Sequence, residues 1–330
     1  MRKKWKPFSV SEKGNSMEIK ALKEQFEKNR NIRDRALLRV SGVPGMDVYN
    51  CSLPFIWQGN RYLFGRTEKH DEWANSRVCL FRETAKDCFA LVPEFVPLAL
   101  EDPFIQKIGE ELVLGGTHVQ KSAGRVSTYF GYFYRGTSPM DLTYFTTGPV
   151  KMKDIRLVPL ADGKIGVFSR PRSKESAQIG FTVIDSLDEL TADAVANAPL
   201  IEGLLEPGQW GGINQAYLLE DGMIGCIGHF CYGEQVSETL RLSVYANSAF
   251  VLNPETRAVQ EVRIIGTKSC YPECEPKVPK LADCVFTSGL VMREDGFADL
   301  YSGVGDVTEG RITIENPFTA HGALKTTLVF

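Results

Sequence analysis

The sequence predicts an all-β chain folded as a five-bladed β-propeller behind one short N-terminal helix. Three observations predict it. Five hairpin-like turns, Gln58-Gly59-Asn60, Ile108-Gly109-Glu110, Asp162-Gly163, Asp221-Gly222 and Asp295-Gly296, recur with their glycines 50, 54, 59 and 74 residues apart. That is the scale of four-stranded blades carrying variable insertions. Apolar runs flank every turn, from Tyr62-Leu63-Phe64 at the first to Phe297-Ala298-Asp299-Leu300-Tyr301 at the last. Beyond Leu37, nearly all of the chain consists of short apolar or alternating runs cut by Gly, Asp, Asn and Pro, an all-β pattern.

In chain order, residues 17–30 place Ile19, Leu22 and Phe26 at helical spacing among Lys and Glu, so an amphipathic helix is expected there as a lid or strap. Residues 1–36 are accordingly assigned to a helical extension and 37–330 to the propeller, with one more helical stretch at 187–198. The five turns supply the positive φ that tight hairpins require. The aromatic run Tyr129-Phe130-Gly131-Tyr132-Phe133-Tyr134 alternates and is expected to pack between blades. No GxGxxG or GxxxxGK[ST] opens a helix after a strand, which sets aside nucleotide folds of the Rossmann and P-loop kinds.

Composition bounds the partners. The 330 residues are 43% hydrophobic and 24% charged, ample for a large core. A net charge of -3 and a pI near 5.9 provide no broad basic field, so nucleic acid is not expected as a partner. Met1-Arg2-Lys3-Lys4-Trp5-Lys6 is basic but no apolar run follows, and no stretch suits a bilayer span, so a cytoplasmic chain with reduced thiols and no membrane partner is expected. The pairs Cys226/Cys231 and Cys270/Cys274 lack zinc-site spacing, and the four histidines are far apart. No metal and no cofactor are expected. The stretch from Cys270 to Cys274 reads as a surface loop.

The turns also organise the polar residues. Seven residues past four of the turn glycines lie Arg66, Arg170, His229 and the Gly303 that leads to Asp306; nine past the remaining one lies His118. Seven to nine residues before the turns lie Asn50, Asp102, Asp154, Asn214 and, at the fifth, Ser288. A strand of about seven residues rises roughly 23 Å, so both ends of each hairpin return to the rim opposite its turn. Five blades closed in a ring would bring these residues to one mouth of the channel.

The sharpest local signal there is Glu101-Asp102-Pro103-Phe104. A following Pro fixes the Asp at a strand start, and an apolar channel is expected to raise its pKa, as a general acid requires.

Those residues resemble the Glu-Asp-Pro-Arg segment of the inverting mannoside phosphorylases, glycoside hydrolase family 130, whose Asp is the general acid. Tyr62-Leu63-Phe64-Gly65-Arg66 is similar to that family's strand ending in a sugar-binding Arg. Lys153-Asp154-Ile155-Arg156 through Ser169-Arg170-Pro171 resembles one of its hairpins, and Gly228-His229 its phosphate-binding His. Tyr301-Ser302-Gly303-Val304-Gly305-Asp306 resembles the last blade, whose Asp binds the mannosyl unit. A closer resemblance is to the mannosyltransferase/phosphorylase group, glycosyltransferase family 108, through Met46-Asp47-Val48-Tyr49-Asn50 and Trp210-Gly211-Gly212-Ile213-Asn214. The sequence departs at Phe104, where the phosphorylases carry Arg, and near Asn214, where their phosphate-binding Lys is missing.

The resemblance implies an inverting phosphorylase or mannosyltransferase acting on β-1,2-linked mannosides. Asp102 would be the acid, with Asn50, Arg66, Asp47, Asn214 and Asp306 on the sugar. Arg156, Arg170, His229 and Lys153 would hold phosphate or the phosphate of a nucleotide sugar, phosphate serving as co-substrate. Phosphorolysis, transfer and hydrolysis stay open, the last with Asp154 or Asp283 as base. A propeller that binds glycan without turnover, and a homo-oligomer, stay open too.

Overall fold

The computed structural model describes residues 18–172, 176–325 and 328–330. The basic segment from Met1 to Lys6, and Met17, lie outside the described residues. The remainder is mostly β, arranged in four sheets.

Sheet I is ten-stranded. It runs from Val285–Met292 through Phe297–Val304 and Thr308–Glu315, crosses to Met46–Tyr49, and continues through Asn60–Lys69, Arg77–Ala85, Cys88–Leu91 and Arg39–Ser41. The crossing is one parallel bridge, Thr308↔Val48, so two units, antiparallel except where Arg39–Ser41 runs parallel to Cys88–Leu91, are joined there by a single residue pair. Sheet II holds Glu101–Ile108, Glu111–Ser122, Arg125–Gly136 and Thr143–Thr147. Sheet III holds Arg156–Pro159, Ile165–Ser169 and Gly180–Ile184; sheet IV holds Trp210–Leu218, Ile224–Gln235, Arg241–Leu252 and Val259–Gly266.

Each of the five expected turns joins an antiparallel pair, and its glycine sits at a φ between 60° and 85° with open space where a Cβ would lie. Glycine is the residue that takes this conformation without steric cost. The first strands of successive sheets pack side by side: Glu101–Ile108 touches Asn60–Lys69 and Arg156–Pro159, Arg156–Pro159 touches Trp210–Leu218, and Trp210–Leu218 touches Val285–Met292. Buried amides stitch them. Gln106 Nε2 donates to Leu157 O at 3.0 Å and Ala216 O at 3.1 Å, while Gln215 Nε2 donates to Ile105 O at 3.1 Å. Carbonyls on inner strands would otherwise lose water without a partner, at about 1–3 kcal/mol each.

The N-terminal helix covers Ile19–Asn29, as its periodicity predicts. Ile19 is buried, and Leu22 and Phe26 pack on the core of sheets III and IV. Lys20 pairs with Glu234 and Lys23 with Asp283, which straps the helix across sheet IV and the chain leading into sheet I. The second predicted helical stretch is a 3-10 turn, Leu187–Glu189, followed by a helix, Ala192–Ala196, capped by the Thr191 side chain. The aromatic strand behaves as its alternation suggests: Phe133 is buried against Phe104, while Tyr132 and Tyr134 are half-buried.

One expectation fails. The stretch from Cys270 to Cys274 is not a surface loop, because Cys270 and Tyr271 are both 2% exposed. The Tyr271 hydroxyl bonds Asn247 Oδ1 at 3.1 Å and Ser302 Oγ at 2.8 Å, closing sheet IV against sheet I. Among the described residues, no group of three His, Cys, Asp or Glu could hold a metal, and no helix is long and apolar enough to cross a membrane.

Asp34–Leu37 pairs with Thr308–Glu315, so the first strand of the described residues is held by the last. Arg311, almost wholly buried, clamps that seam, reaching Asp87 at 2.6 Å, Asp34 at 2.9 Å and Asp299 at 3.3 Å. Removing one partner of a buried ion cluster leaves the others uncompensated. Arg311→Ala is therefore expected to lower unfolding stability by about 3 kcal/mol, the lower end for such changes because Asp34 is partly exposed. Urea unfolding checks it, and Arg311→Lys should recover part of the loss.

Candidate active site

A cavity of about 90 Å³ is lined by Asn50, Arg66, Asp102, Lys153, Asp154, Arg170, His229 and Asp306, with Tyr245, Leu281, Cys284 and Phe286. Seven of these eight polar residues were placed there by their distance from the turns, and Lys153 came with the phosphate set. The remaining expected residues lie elsewhere. Asn214 is buried behind His229. Arg156 is buried behind Asp154. Asp47 pairs with His70 Nδ1 at 3.0 Å on the outer side. His118 is partly exposed, bonded to Ala99 O and stacked on Tyr132, away from the cavity. Ser288 bonds Glu309 instead.

Backbone geometry explains how the polar side chains reach inward. Asn50, Asp102, Asp154 and Asp306 all adopt positive φ, between 46° and 58°. That region is sparsely allowed for residues with a Cβ, and Asn and Asp tolerate it best. At Asp102 the register of the sheet shifts between Glu101 and Phe104, so Pro103, which has no N–H, sits where the ladder is already interrupted. Gly303 is required for Asn50: a Cβ on it would fall 1.9 Å from Asn50 Oδ1.

Asp102 is gripped from three sides. Asn50 Nδ2 donates to its Oδ1 at 2.9 Å, Arg66 Nη1 donates to the same oxygen at 2.9 Å, and Lys153 Nζ reaches Oδ2 at 3.2 Å. The expected rise in its pKa does not occur. Burial alone would raise it, but the Lys153 and Arg66 charges and the Asn50 bond outweigh burial and hold the carboxyl well below the usual carboxylate range. The apolar channel assumed from sequence is in fact lined by cations.

Arg66 is itself held. Its Nε donates to Ser76 Oγ at 2.8 Å, Nη2 lies 3.2 Å from Glu101, and its guanidinium sits 4.8 Å from the Tyr49 ring centre. Behind it, Glu68 accepts from the Tyr49 hydroxyl at 2.8 Å, Ser76 Oγ at 3.0 Å and Lys277 Nζ at 2.6 Å. Glu68 lies two residues along the strand from Arg66, a same-face spacing visible in the sequence; Lys277, more than two hundred residues away, gave no such signal.

The opposite cluster is different. Asp154 lies 3.2 Å from Arg170 Nη1 and 3.6 Å from Arg156 Nη2, yet neither of its oxygens makes a hydrogen bond among the described residues. Arg170 Nε donates to Gly211 O at 2.5 Å. His229 Nδ1 lies 2.7 Å from Asn214 Oδ1, and its ring stacks against Tyr245 and Phe286. Burial drives the imidazole down to about 3, so it is neutral near pH 7; Asp154 opposes this and Arg170 reinforces it. Phe104 is 2% exposed, with the Arg156 guanidinium 4.6 Å over its ring. Burial raises Asp306, with Arg66 opposing and Asp102 adding. Asp283 pairs with Lys23 outside the cavity, which removes it as a base; Asp154 remains inside but is held low by Lys153, Arg170 and Arg156 against the effect of burial.

The cavity therefore carries three carboxyl groups, three permanent cations and a neutral imidazole. A buried Asn50 Oδ1, the Asp154 oxygens and Asn214 Nδ2 lack hydrogen-bond partners among the described residues. Further unsatisfied atoms lie on Thr128, Ser169, Gln215 and Ser248, but those of Asn50 and Asp154 belong to residues that line the cavity, where a polar ligand would satisfy them.

The chain matches, over residues 24–320, the model of a family described as a protein of unknown function, DUF1861. No curated protein matches it. Among solved structures, MPT-4, a mannose phosphorylase from Leishmania mexicana in complex with phosphate ion, is 54% identical over 94% of this chain and 97% of that one, with a TM-score of 0.92. MPT-1, a GDP-Man-dependent mannosyltransferase from the same organism, is 46% identical over 94% of this chain and 99% of its own, with a TM-score of 0.90. A β-1,2-mannobiose phosphorylase from Listeria innocua in complex with β-1,2-mannobiose is 16% identical, covering 82% and 91% of the two chains at a TM-score of 0.57, a likeness of fold alone.

Glu309, wholly buried, accepts Cys51 N–H at 3.0 Å and Ser288 Oγ–H at 2.6 Å and has no ion-pair partner among the described residues. Burial pushes its carboxyl from 4.5 up to about 7. The folded chain thus keeps a proton that the unfolded chain releases. The associated stability is complete below pH 4.5 and is lost as pH rises through about 7, a change of roughly 3 kcal/mol. Glu309→Gln should abolish that slope, as denaturant unfolding across this pH range will show.

Proposed function

We propose, from the premise that the chain belongs to the DUF1861 family and to the mannose phosphorylase and mannosyltransferase group it resembles, that it is an inverting phosphorylase of β-1,2-linked mannosides. Membership makes it an enzyme acting on mannosides. The finer reading treats residues 37–330 as one catalytic domain behind the 1–36 extension. It counts the two antiparallel units of sheet I separately, so that with sheets II to IV they form five blades around the cavity. The likeness in fold to the Listeria enzyme supports a propeller-type arrangement.

The observation that carries the mechanism is the division of the cavity into two sides. On one, Asp102 is fixed by Asn50, Arg66 and Lys153. On the other, Arg170, with Asp154 beside it, and His229, oriented by Asn214, form a cradle for an anion. Inversion needs a nucleophile and a leaving group on opposite faces of the anomeric carbon. Phosphate, already an anion, attacks without a base, so a single acid suffices. A phosphate oxygen bonds to C1, the C1–O glycosidic bond breaks, and the leaving oxygen takes a proton from Asp102, directly or through a substrate hydroxyl. Mannose 1-phosphate and the shortened glycan are the products. Asn50, Arg66 and Asp306 grip the sugar.

The protein's own charges hold Asp102 ionised, so its proton must arrive with the substrate. Three cations already face three carboxyls, and a phosphate dianion tips that balance to the negative side. The added charge raises the neighbouring carboxyls and favours the protonated acid. The neutral His229 ring suits this chemistry, since an imidazole nitrogen can accept the P–OH of hydrogen phosphate.

Two outcomes follow. With β-1,2-mannobiose and inorganic phosphate the protein should release mannose 1-phosphate, and Asp102→Asn should slow it by about 10²–10⁴-fold, the usual contribution of a general acid. Mannose released without phosphate would overturn the reading in favour of hydrolysis, with Asp154 as base. Calorimetric titration with phosphate, in buffers of different ionisation heat, should show the parent taking up more protons than Asp102→Asn.

A further inference from the structure

One buried cation near the site takes no part in lining the cavity. Lys277 lies in the chain between sheets IV and I, in the segment that sends Leu281 and Cys284 to the cavity wall, yet its own side chain, 1% exposed, goes to the wholly buried Glu68 at 2.6 Å. Two ions removed from water are a costly pair, sustained only where the geometry around them is good. Here it is good. Glu68 Oε2 also accepts the Tyr49 hydroxyl at 2.8 Å, while Oε1 accepts Ser76 Oγ–H and Asn75 N–H at 3.0 Å each. Lys277 Nζ donates a second time to Lys69 O at 3.3 Å and stands 5.5 Å from the Tyr49 ring centre.

Those contacts decide where Arg66 points. Three carboxyl groups surround its guanidinium: Asp102 at 2.9 Å, Glu101 at 3.2 Å and Glu68 at 3.5 Å. Glu68 is the loosest of the three, because Lys277, Tyr49, Ser76 and Asn75 already serve it. Ser76 carries one hydroxyl hydrogen; with that given to Glu68, a lone pair is left for Arg66 Nε, which donates to it at 2.8 Å. Nη1 and Nη2 are thereby turned toward Asp102 and Glu101. Burial would raise the Glu68 carboxyl, but Lys277, Arg66 and Tyr49 bring it below its ordinary value, so it stays ionised and keeps its donors. The backbone of Lys277 serves another part of the site. Its N–H donates to Gly305 O at 2.8 Å, one residue before Asp306. A side-chain substitution at Lys277 therefore removes the hold on Arg66 and leaves the backbone bond beside Asp306.

We propose that Lys277 is a positioning residue for the sugar side of the cavity, neutralising Glu68 so that Arg66 faces Asp102 and the glycosyl ring instead of turning back along its own strand. The inference rests on the sugar-gripping role proposed above for Arg66. Without the ammonium, Glu68 is a buried carboxylate whose remaining ion-pair partner among the described residues is Arg66, and their attraction is strong where water is excluded. The guanidinium then leaves Asp102 for Glu68. Sugar affinity falls, while the Arg170 and His229 cradle on the other side of the cavity keeps its own partners.

The probes are β-1,2-mannobiose and inorganic phosphate, titrated separately into the full chain by calorimetry and then combined for kinetics. In Lys277→Met the affinity for mannobiose should fall, and its KM rise, about tenfold or more, the scale of one misplaced charge-assisted hydrogen bond, with phosphate affinity within about twofold of the parent. Lys277→Arg, which restores the charge, should recover most of the loss. So should Glu68→Gln/Lys277→Met, because with both charges gone nothing draws Arg66 back; the double-mutant cycle measures that coupling. A joint fall in mannobiose and phosphate affinity, the mark of a merely structural residue, overturns the proposal. So does unaltered mannobiose affinity in Lys277→Met, a parent that binds no mannobiose, or a double variant no better than Lys277→Met. Should Lys277→Met not fold, the double variant decides: it must fold and bind mannobiose within about threefold of the parent, or the proposal fails. A parent that binds mannobiose but forms no mannose 1-phosphate would refute the phosphorylase reading and leave the binding comparison standing.

Discussion

The bond between Arg66 and Asp102 is the constraint on which the rest of the site depends. Both groups are almost completely buried, and a lone charge in such a place would neutralise or unfold its surroundings. Each therefore has several partners, and those partners have partners. Asn50 and Lys153 complete the shell of Asp102; Ser76, Glu101 and the Tyr49 ring complete that of Arg66. Glu68 and Lys277 then tie that shell to the chain between sheets IV and I. Pulling on one charge pulls on three distant parts of the sequence. A site built this way holds its geometry before any ligand arrives, which is what electrostatic catalysis requires.

Convergence of the polar residues comes from one repeated backbone choice. Asn50, Asp102, Asp154 and Asp306 stand at the rim in left-handed conformation, each a cost of order 1–3 kcal/mol that the sheets behind them sustain. The sequence showed this indirectly. Counting residues from the turn glycines located three of the four, and Asp306 followed from Gly303, because hairpins of similar length bring their open ends to a common level. The residue types carry the same message, since Asn and Asp are the side chains that accept the conformation and also end in groups able to bind a sugar or a cation. Fourth and fifth positions solve the problem with bulges, at Ile213/Gln215 and Thr287/Gly289, and the counted residues there, Asn214 and Ser288, consequently serve other side chains rather than the cavity.

What remained illegible was the environment rather than the identity of the residues. Asp102 lines the cavity, but its ionisation depends on Arg66, from sheet I, and Lys153, from the segment leading into sheet III, and no spacing rule reports that distance. Tyr245 lines the cavity from the middle of an alternating strand, where nothing in the sequence separates it from a core aromatic. Cys270 and Tyr271 looked like loop residues because Pro272 and Glu273 follow; Tyr271 is tied inward by Asn247 and Ser302, again remote in the chain. His118, counted from its turn, lies well inside Glu111–Ser122 and bonds Ala99 O, whereas Asp47, taken from the family resemblance, pairs with the exposed His70.

Phe104 shows how a departure from a motif can be structural rather than a loss. Its ring occupies the space over Gly115, where a Cβ would come within 2.1 Å of it, and packs edge-on against Phe133. It therefore belongs to the core of sheet II. The Arg156 guanidinium rests on that ring at 4.6 Å and donates through Nε to Asn214 O at 2.8 Å, and Asn214 in turn fixes His229. A cation over an aromatic face is attracted by the ring quadrupole, and more strongly where water is excluded. An Arg at position 104 would place a second guanidinium against Arg156 in a buried space. With Phe there, one cation is held, its backbone bond is aimed, and the orientation of an imidazole two sheets away follows from a side chain that never reaches the cavity.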